Sequence, residues 1–225
     1  MSRILDYAPP MANHGRDLFD RANAANLGSD WRADTTAARI VNNAAQARTV
    51  SSNTGRQAGG WSTYQGGNNG GRLYTDTYRL RALLKAPSTA IANNNFTVFY
   101  LAGPDTFGAA SGFVAVAVST GSGGSINTQT GTPNGPGGSM AGTQRAAHAQ
   151  NWAAGDLLEF RRTRTTFDVY RNGVYLYGWT PGAGEAPSGA ANRRWGFCPE
   201  ANFPIFQEQF SSLAVEWIEA EDLAA

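Results

Sequence analysis

Apolar and polar residues alternate with a period of two in several short stretches of this chain, and no stretch sustains the spacing of an amphipathic helix beyond one turn. The clearest stretch is residues 155–179, GDLLEFRRTRTTFDVYRNGVYLYGW. Asn172-Gly173 predicts a two-residue hairpin turn, because both residues accept positive φ. Closing that turn sets Arg171 opposite Val174, Tyr170 opposite Tyr175, Val169 opposite Leu176 and Asp168 opposite Tyr177. Alternation then gives a core face of Phe167, Val169 and Leu176, and an aromatic, polar-tipped face of Tyr170, Tyr175 and Tyr177. Leu158 and Phe160, alternating with Glu159 and Arg161, predict the preceding strand.

The same reading extends along the chain. Leu18 and Phe19 open a strand, residues 26–29 turn, and Trp31 anchors a core. Residues 38–49 read as one strand centred on Ile40 and Val41, and residues 51–72 as a long surface loop holding Trp61 and Tyr64. Residues 74–85 predict a long strand with Tyr78, Leu80 and Ala82 inward. Residues 96–102 and 111–119 are continuous apolar runs and predict two buried strands joined as a hairpin. Residues 120–143 are almost purely Gly, Ser, Thr, Asn and Pro and read as a loop. Residues 212–218 form the last strand, with Leu213, Val215 and Trp217 on one face. The expected division is an N-terminal arm at 1–16, one sandwich at 17–219 and an acidic, solvated tail at 220–225. Pro9 and Pro10 extend the arm, and Ile4, Leu5, Tyr7 and Met11 are apolar enough to dock. The arm reads either as a disordered terminus or as a segment that packs on a neighbouring subunit.

Composition narrows this picture. Charged residues are 16% of the 225, 27 are Gly and 11% are aromatic, which suits a turn-rich all-β protein with a neutral surface. A net charge of +1 argues against nucleic acid or an anionic membrane as partner. No apolar run reaches the ~18 residues that would span a bilayer, so no membrane insertion is expected. The N-terminus lacks the apolar core of a signal peptide, which implies synthesis in the cytoplasm. Cys198 is the only cysteine and is expected to be a small buried residue.

Two groups of motifs carry a resemblance. D-x-F-D-R from Asp17, L-G-S-x-W from Leu27 and a strand ending V-N-N at Asn43 resemble the opening of concanavalin A-like lectin/glucanase domains of the laminin-G-like kind. G-D-x-x-x-F-R from Gly155, T-F-x-V-Y-R-N-G from Thr166 and W-G-F from Trp195 are similar to their second half. The resemblance spans roughly residues 17–218. It implies an all-β, two-sheet antiparallel jelly-roll sandwich carrying the extended arm. Copies of such domains often occur in minor tail proteins of phages that infect actinobacteria. That setting implies a virion structural protein, homo-oligomeric, bound to other tail proteins and made in the host cytoplasm.

The chemistry is weighed on that basis. Glycosidases of this fold usually carry E-x-D-x-x-E along one strand, and no such string is present. Glu159 and Asp168 lie on strands, while Glu216, Glu219 and Glu221 run towards the tail. The chain is therefore expected to be non-enzymatic. Ca²⁺ could be offered oxygens by Asp17, Asp20, Asn23 and Asp105, but turn formation explains those residues better, and no cofactor is expected. Aromatic faces stack on sugar rings, which makes Trp61, Tyr64, Tyr170, Tyr175, Tyr177 and Trp179 the candidate glycan-binding residues. The leading expectation is a phage tail protein that aids host attachment through glycan or protein binding. A free-standing carbohydrate-binding module is the alternative, and a glycan hydrolase is third.

Overall fold

The computed structural model describes residues 14–33, 38–50, 54–58 (backbone only), 61–67, 69–107, 112–130, 141–203 and 208–223. Among them, nine strands make up the first half: β1 (His14–Asp17), β2 (Trp31–Ala33), β3 (Arg39–Ile40), β4 (Ala45–Gln46), β5 (Thr54–Ala58), β6 (Ser62–Tyr64), β7 (Thr77–Lys85), β8 (Ala90–Ile91) and β9 (Thr97–Gly103). Nine more follow: β10 (Gly112–Val118), β11 (Gly124–Thr130), β12 (Ala141–His148), β13 (Leu157–Thr163), β14 (Thr166–Arg171), β15 (Val174–Trp179), β16 (Arg194–Phe203), β17 (Phe210–Ser211) and β18 (Ala214–Asp222). One 3₁₀ turn, Ala190–Asn192, is the only helical element among the described residues, and no helix there is long and apolar enough to cross a membrane.

The strands build two sheets. The first runs β15-β14-β13-β7-β18-β4-β3, with β1 also pairing β18. The second runs β12-β11-β10-β9-β16-β17-β8, with β5 and β6 on β16 and β2 on β6. Every pairing is antiparallel except the short β17–β8 contact. This is a two-sheet jelly-roll sandwich, as the alternation and the resemblance predict. Between the sheets lie Leu80, Ala82, Leu84, Leu158, Phe160 and Val169 from the first, facing Phe99, Leu101, Val114, Val116 and Phe197 from the second. Each large side chain so buried stabilises the fold by roughly 1.5–3 kcal/mol. At one end Trp31 packs edge-on against Tyr64, Trp195 and Phe197 at 5.2–5.7 Å between ring centroids. Cys198 is buried.

Tyr78, Leu80 and Ala82 point inward as their alternation predicts, and Asn172-Gly173 closes the hairpin with φ of 52° and 80°. Four local expectations are corrected. Residues 38–49 are not one strand. Asn42 and Asn43 sit at φ 53° and 56°, a tight turn that folds β4 back on β3. Trp61 and Tyr64 are not in a surface loop; both are buried, because β6 pairs with β16 and carries them into the sheet. The polar run 120–143 is not simply a loop. It contains β11 and part of β12, which pair with each other, β11 also pairing β10, with Ile126 as their fully buried anchor. Small polar residues pair there because β10 supplies the template. Lastly, β18 does not end at Ile218. It runs to Asp222 along the full length of β7, and a bulge between Val215 and Trp217 turns Trp217 outward and Ile218 and Ala220 inward. Residues 220–222, assigned to a solvated tail, therefore belong to the sandwich, and Asp222 is buried as it accepts bonds from Tyr74 N, Thr75 N and the Thr75 hydroxyl.

At the N-terminus, His14–Arg16 of the expected arm lie in β1, paired with Glu219–Glu221. The docking residues Ile4, Leu5, Tyr7, Pro9, Pro10 and Met11 lie outside the described residues.

Candidate functional site

The outer face of the first sheet concentrates the chain's chemistry. Strand register aligns two rows across β1, β18, β7, β13, β14 and β15. One row reads Arg16, Glu219, Arg81, Glu159, Tyr170, Tyr175; the next reads His14, Glu221, Arg79, Arg161, Asp168, Gly178. All of these residues alternate with core residues such as Leu80, Phe160 and Ala220, so the pleat turns them away from the core.

Cations and carboxylates neutralise one another across this face. Glu219 is nearly buried and is held by Arg81, by His14 Nε2 at 3.3 Å and by Arg16 Nε at 3.7 Å. Arg79 donates to Glu221 at 2.6 and 2.8 Å and lies 3.6 Å from Glu159. Arg161 Nε donates to Glu159 at 2.9 Å, and its guanidinium lies 4.7 Å from the centre of the Tyr170 ring. Tyr170 meets Tyr175 edge-on at 5.6 Å. At the other end, Arg16 sits 5.4 Å from the Trp217 ring.

Asp168 differs from the three glutamates. No hydrogen-bond donor reaches its carboxylate among the described residues. Partial burial pushes its pKa up from the ordinary 3.8, and the nearby Arg161 charge only partly opposes this. Opposite it, Gly178 carries no side chain, and the Asp168 carboxylate takes up the space that one would need. A Cβ there would fall 2.3 Å from Asp168 Oδ1 and 3.1 Å from the Tyr175 hydroxyl. The carboxylate and the phenol thus converge over bare backbone. Tyr175 is 55% exposed. The arrangement offers an uncommitted acceptor, a guanidinium and accessible aromatic surface within one hairpin.

Of the six predicted aromatics, the structure brings only Tyr170 and Tyr175 to this face. A bulge between Val169 and Tyr170 breaks the expected pairing: Tyr170 still faces Tyr175, but Val169 faces Tyr177. Leu176 is the extra residue, and Tyr177 flips into the core. There it stacks on His148 at 5.8 Å, and burial pushes its pKa well up. Trp179 is half-buried between Phe167 at 5.9 Å and Arg145 at 5.3 Å. Trp61 packs on Tyr100 and Phe113, and Tyr64 stacks on Trp195 at 4.6 Å. Sequence reasoning missed the charged lattice of this face. Its signal was present, since Arg79/Arg81, Glu159/Arg161 and Glu219/Glu221 each repeat with the strand's period of two.

Of the residues considered for Ca²⁺, Asp17, Asn23 and Asp105 have other partners, Asn23 Oδ1 accepting from Asn42 N at 2.9 Å. Asp17 accepts from Arg21 at 2.7 and 2.8 Å, from Phe19 N at 2.8 Å and from Trp31 Nε1 at 2.7 Å. These bonds outweigh the upward push of burial and leave its pKa lowered. Asp105 is held by Arg72 and Arg194. No group of three or more metal-ligating side chains is found among the described residues.

No family model matches the sequence, and no curated protein matches it. Solved structures do. The chain is similar to an endo-acting O-glycanase of human gut microbiota, with a TM-score of 0.56 and 12% identity over 93% of this chain and 99% of that one. It is similar to SCLam, a non-specific endo-β-1,3(4)-glucanase of family GH16, with a TM-score of 0.54 and 11% identity over 95% and 92% of the two chains. It is also similar to the exoplasmic/lumenal domain of VIP36 in a Ca²⁺/Man3GlcNAc-bound form, at 0.51 and 8% over 90% and 87%. At these identities the likeness establishes the fold alone, a two-sheet antiparallel jelly roll. It also overturns the expectation that the chain is non-enzymatic. That expectation rested on a missing motif, whereas the fold is one that a GH16 glucanase and an O-glycanase also adopt. In addition, Glu219 and Glu221, assigned to strand end and tail, stand on the same face as Glu159.

Proposed function

We propose that this chain is a carbohydrate-recognising jelly-roll domain that binds glycan on the outer face of β13–β15. One observation carries the reading: Asp168, a carboxylate without a donor among the described residues, converges with the exposed Tyr175 at Gly178, beside Tyr170 and Arg161. Sugar hydroxyls donate to carboxylates, and the apolar face of a pyranose stacks on an aromatic ring. The lectins and glycan-active enzymes among the similar folds support the same reading. We place the domain on a phage tail or other virion, where it would contact tail proteins, form a homo-oligomer and aid host attachment. The sequence resemblance supports that setting.

A glycan array followed by titration calorimetry tests the binding. Tyr175→Ala and Asp168→Asn should each weaken the best ligand about tenfold or more, the range expected for losing a charged hydrogen bond or a stacking partner. Unchanged affinity in both variants would sink the reading. Light scattering with and without residues 1–13 tests assembly. This truncation spares β1, so a fall from oligomer to monomer would isolate the arm.

Glycan hydrolysis is the second reading, favoured by Glu159, Glu219 and Glu221 sharing that face. Two carboxylates flanking the scissile bond are the minimum such chemistry requires. Release of reducing ends from cell-wall polysaccharide, lost on Glu219→Gln or Glu159→Gln, would establish it.

A further inference from the structure

A second feature lies on the opposite side of the first sheet, at one end of the sandwich. Arg162 pairs with Tyr78 on β7 and Phe167 on β14, so its side chain turns inward, and it is 3% exposed. Its guanidinium lies 5.7 Å from the Tyr78 ring centre and 5.4 Å from that of Phe167. Nε donates to the Arg164 carbonyl at 3.0 Å and Nη1 to the Tyr78 hydroxyl at 3.2 Å. Among the described residues no partner is found for Nη2.

The charge around Arg162 does not balance. Its nearest carboxylate, Asp76, is 3.7 Å from Nη1, too far for a hydrogen bond. Asp76 is shared with Arg193, whose Nε donates to it at 3.1 Å. Two guanidinia thus face one carboxylate. Glu185, on the connection between β15 and β16, is engaged by Arg145 at 3.0 Å and by Gly182 N at 2.7 Å. A buried cation is costly unless it is paired and fully hydrogen-bonded.

Arg162 also lines a cavity of about 230 Å³, walled by Thr165, Pro181, Gly182, Gly184 and Ser188. That volume exceeds the roughly 30 Å³ share of one water molecule. The walls combine two hydroxyl donors with glycines that leave backbone accessible. A guanidinium matches the oxygen spacing of carboxylate, sulfate and phosphate groups.

We infer that this cavity binds a compact oxyanion, either a free ion or the anionic substituent of an acidic sugar, with Arg162 as its principal partner. The site is separate from the Asp168–Tyr175 face, because alternation sends Arg161 and Arg162 to opposite sides of the sheet. Calorimetry at low ionic strength, where charge pairing is least screened, tests it with sodium sulfate, galactose 6-sulfate and galactose. Sulfate and galactose 6-sulfate should bind. Arg162→Gln should weaken both about tenfold or more, the loss expected for a charge-assisted contact. Ala183→Leu, at an exposed position lining the cavity, should weaken them equally while leaving the guanidinium in place, which covers the case in which Arg162→Gln does not fold. Tighter binding of galactose 6-sulfate than of sulfate assigns the site to a sugar substituent, and equal binding assigns it to a free ion. Retention of sulfate binding by Tyr175→Ala keeps this site distinct from glycan recognition on the outer face. Absence of binding by both anions, or affinities unchanged by Ala183→Leu, would overturn the inference.

Discussion

The two sheets have very different outer faces. That of the first sheet is a lattice of Arg, Glu and Asp ending in two tyrosines. That of the second is a second core: Trp61, Val98, Tyr100, Phe113, Ala115, Ala117 and Cys198 are all buried in one cluster, with Phe113 5.5 Å from Trp61 and 5.4 Å from Tyr100. The strands record the difference. β7 alternates buried and half-buried residues throughout, whereas all seven residues of β9 are buried. A strand covered on one side reads as alternation, and a strand covered on both sides reads as a continuous apolar run. One fold therefore keeps one outer face for polar chemistry and spends the other on stability.

Substitutions should separate the two faces. The largest effect is expected at Phe113→Ala, which opens a cavity in the second core and should cost about 3–5 kcal/mol in denaturant unfolding. A loss below ~1 kcal/mol would mean that this face is not a core. Glu219→Gln should follow, at roughly 1–3 kcal/mol, because it leaves Arg81, Arg16 and His14 without the nearly buried carboxylate they share.

A smaller effect of opposite sign is expected at Asp168. Its folded pKa is raised, so folding disfavours the ionised form, and that penalty is present above the folded pKa and absent below the ordinary 3.8. Asp168→Asn should therefore be more stable than the parent at neutral pH, with the gap closing as pH falls through 3.8. Asp17, whose pKa is lowered, should behave in reverse: Asp17→Asn loses stability at neutral pH, and the loss fades below 3.8. Thermal melts between about pH 3 and pH 7 check both signs. The smallest stability change is expected at Tyr175→Ala, within about 0.5 kcal/mol since the ring is 55% exposed, while glycan binding falls.

Much of this was legible in the sequence. The Asn172-Gly173 turn, the inward set Tyr78, Leu80 and Ala82, and the doubly buried runs at β9 and β10 follow from local chemistry alone. The candidate site was half legible. Tyr170 and Tyr175 could be paired from the turn outward, but only as far as the bulge. One extra residue reverses every side chain beyond it, so Tyr177 went to the core, and a similar bulge in β18 exchanged Trp217 for Ile218.

Local pattern thus determined the class of fold, most of the core and the hairpin that carries the candidate site, because turn residues and strand alternation act over a few neighbours. Tertiary structure alone decided the rest. It recruited polar residues of 124–130 and 141–148 as strands on the edge of β10, and it drew Glu219 and Glu221 from a supposed tail into a charged face. It also set Arg162 beside a cavity with half a counter-ion. Such outcomes depend on which distant strand offers its hydrogen bonds, and no stretch of sequence contains that information locally.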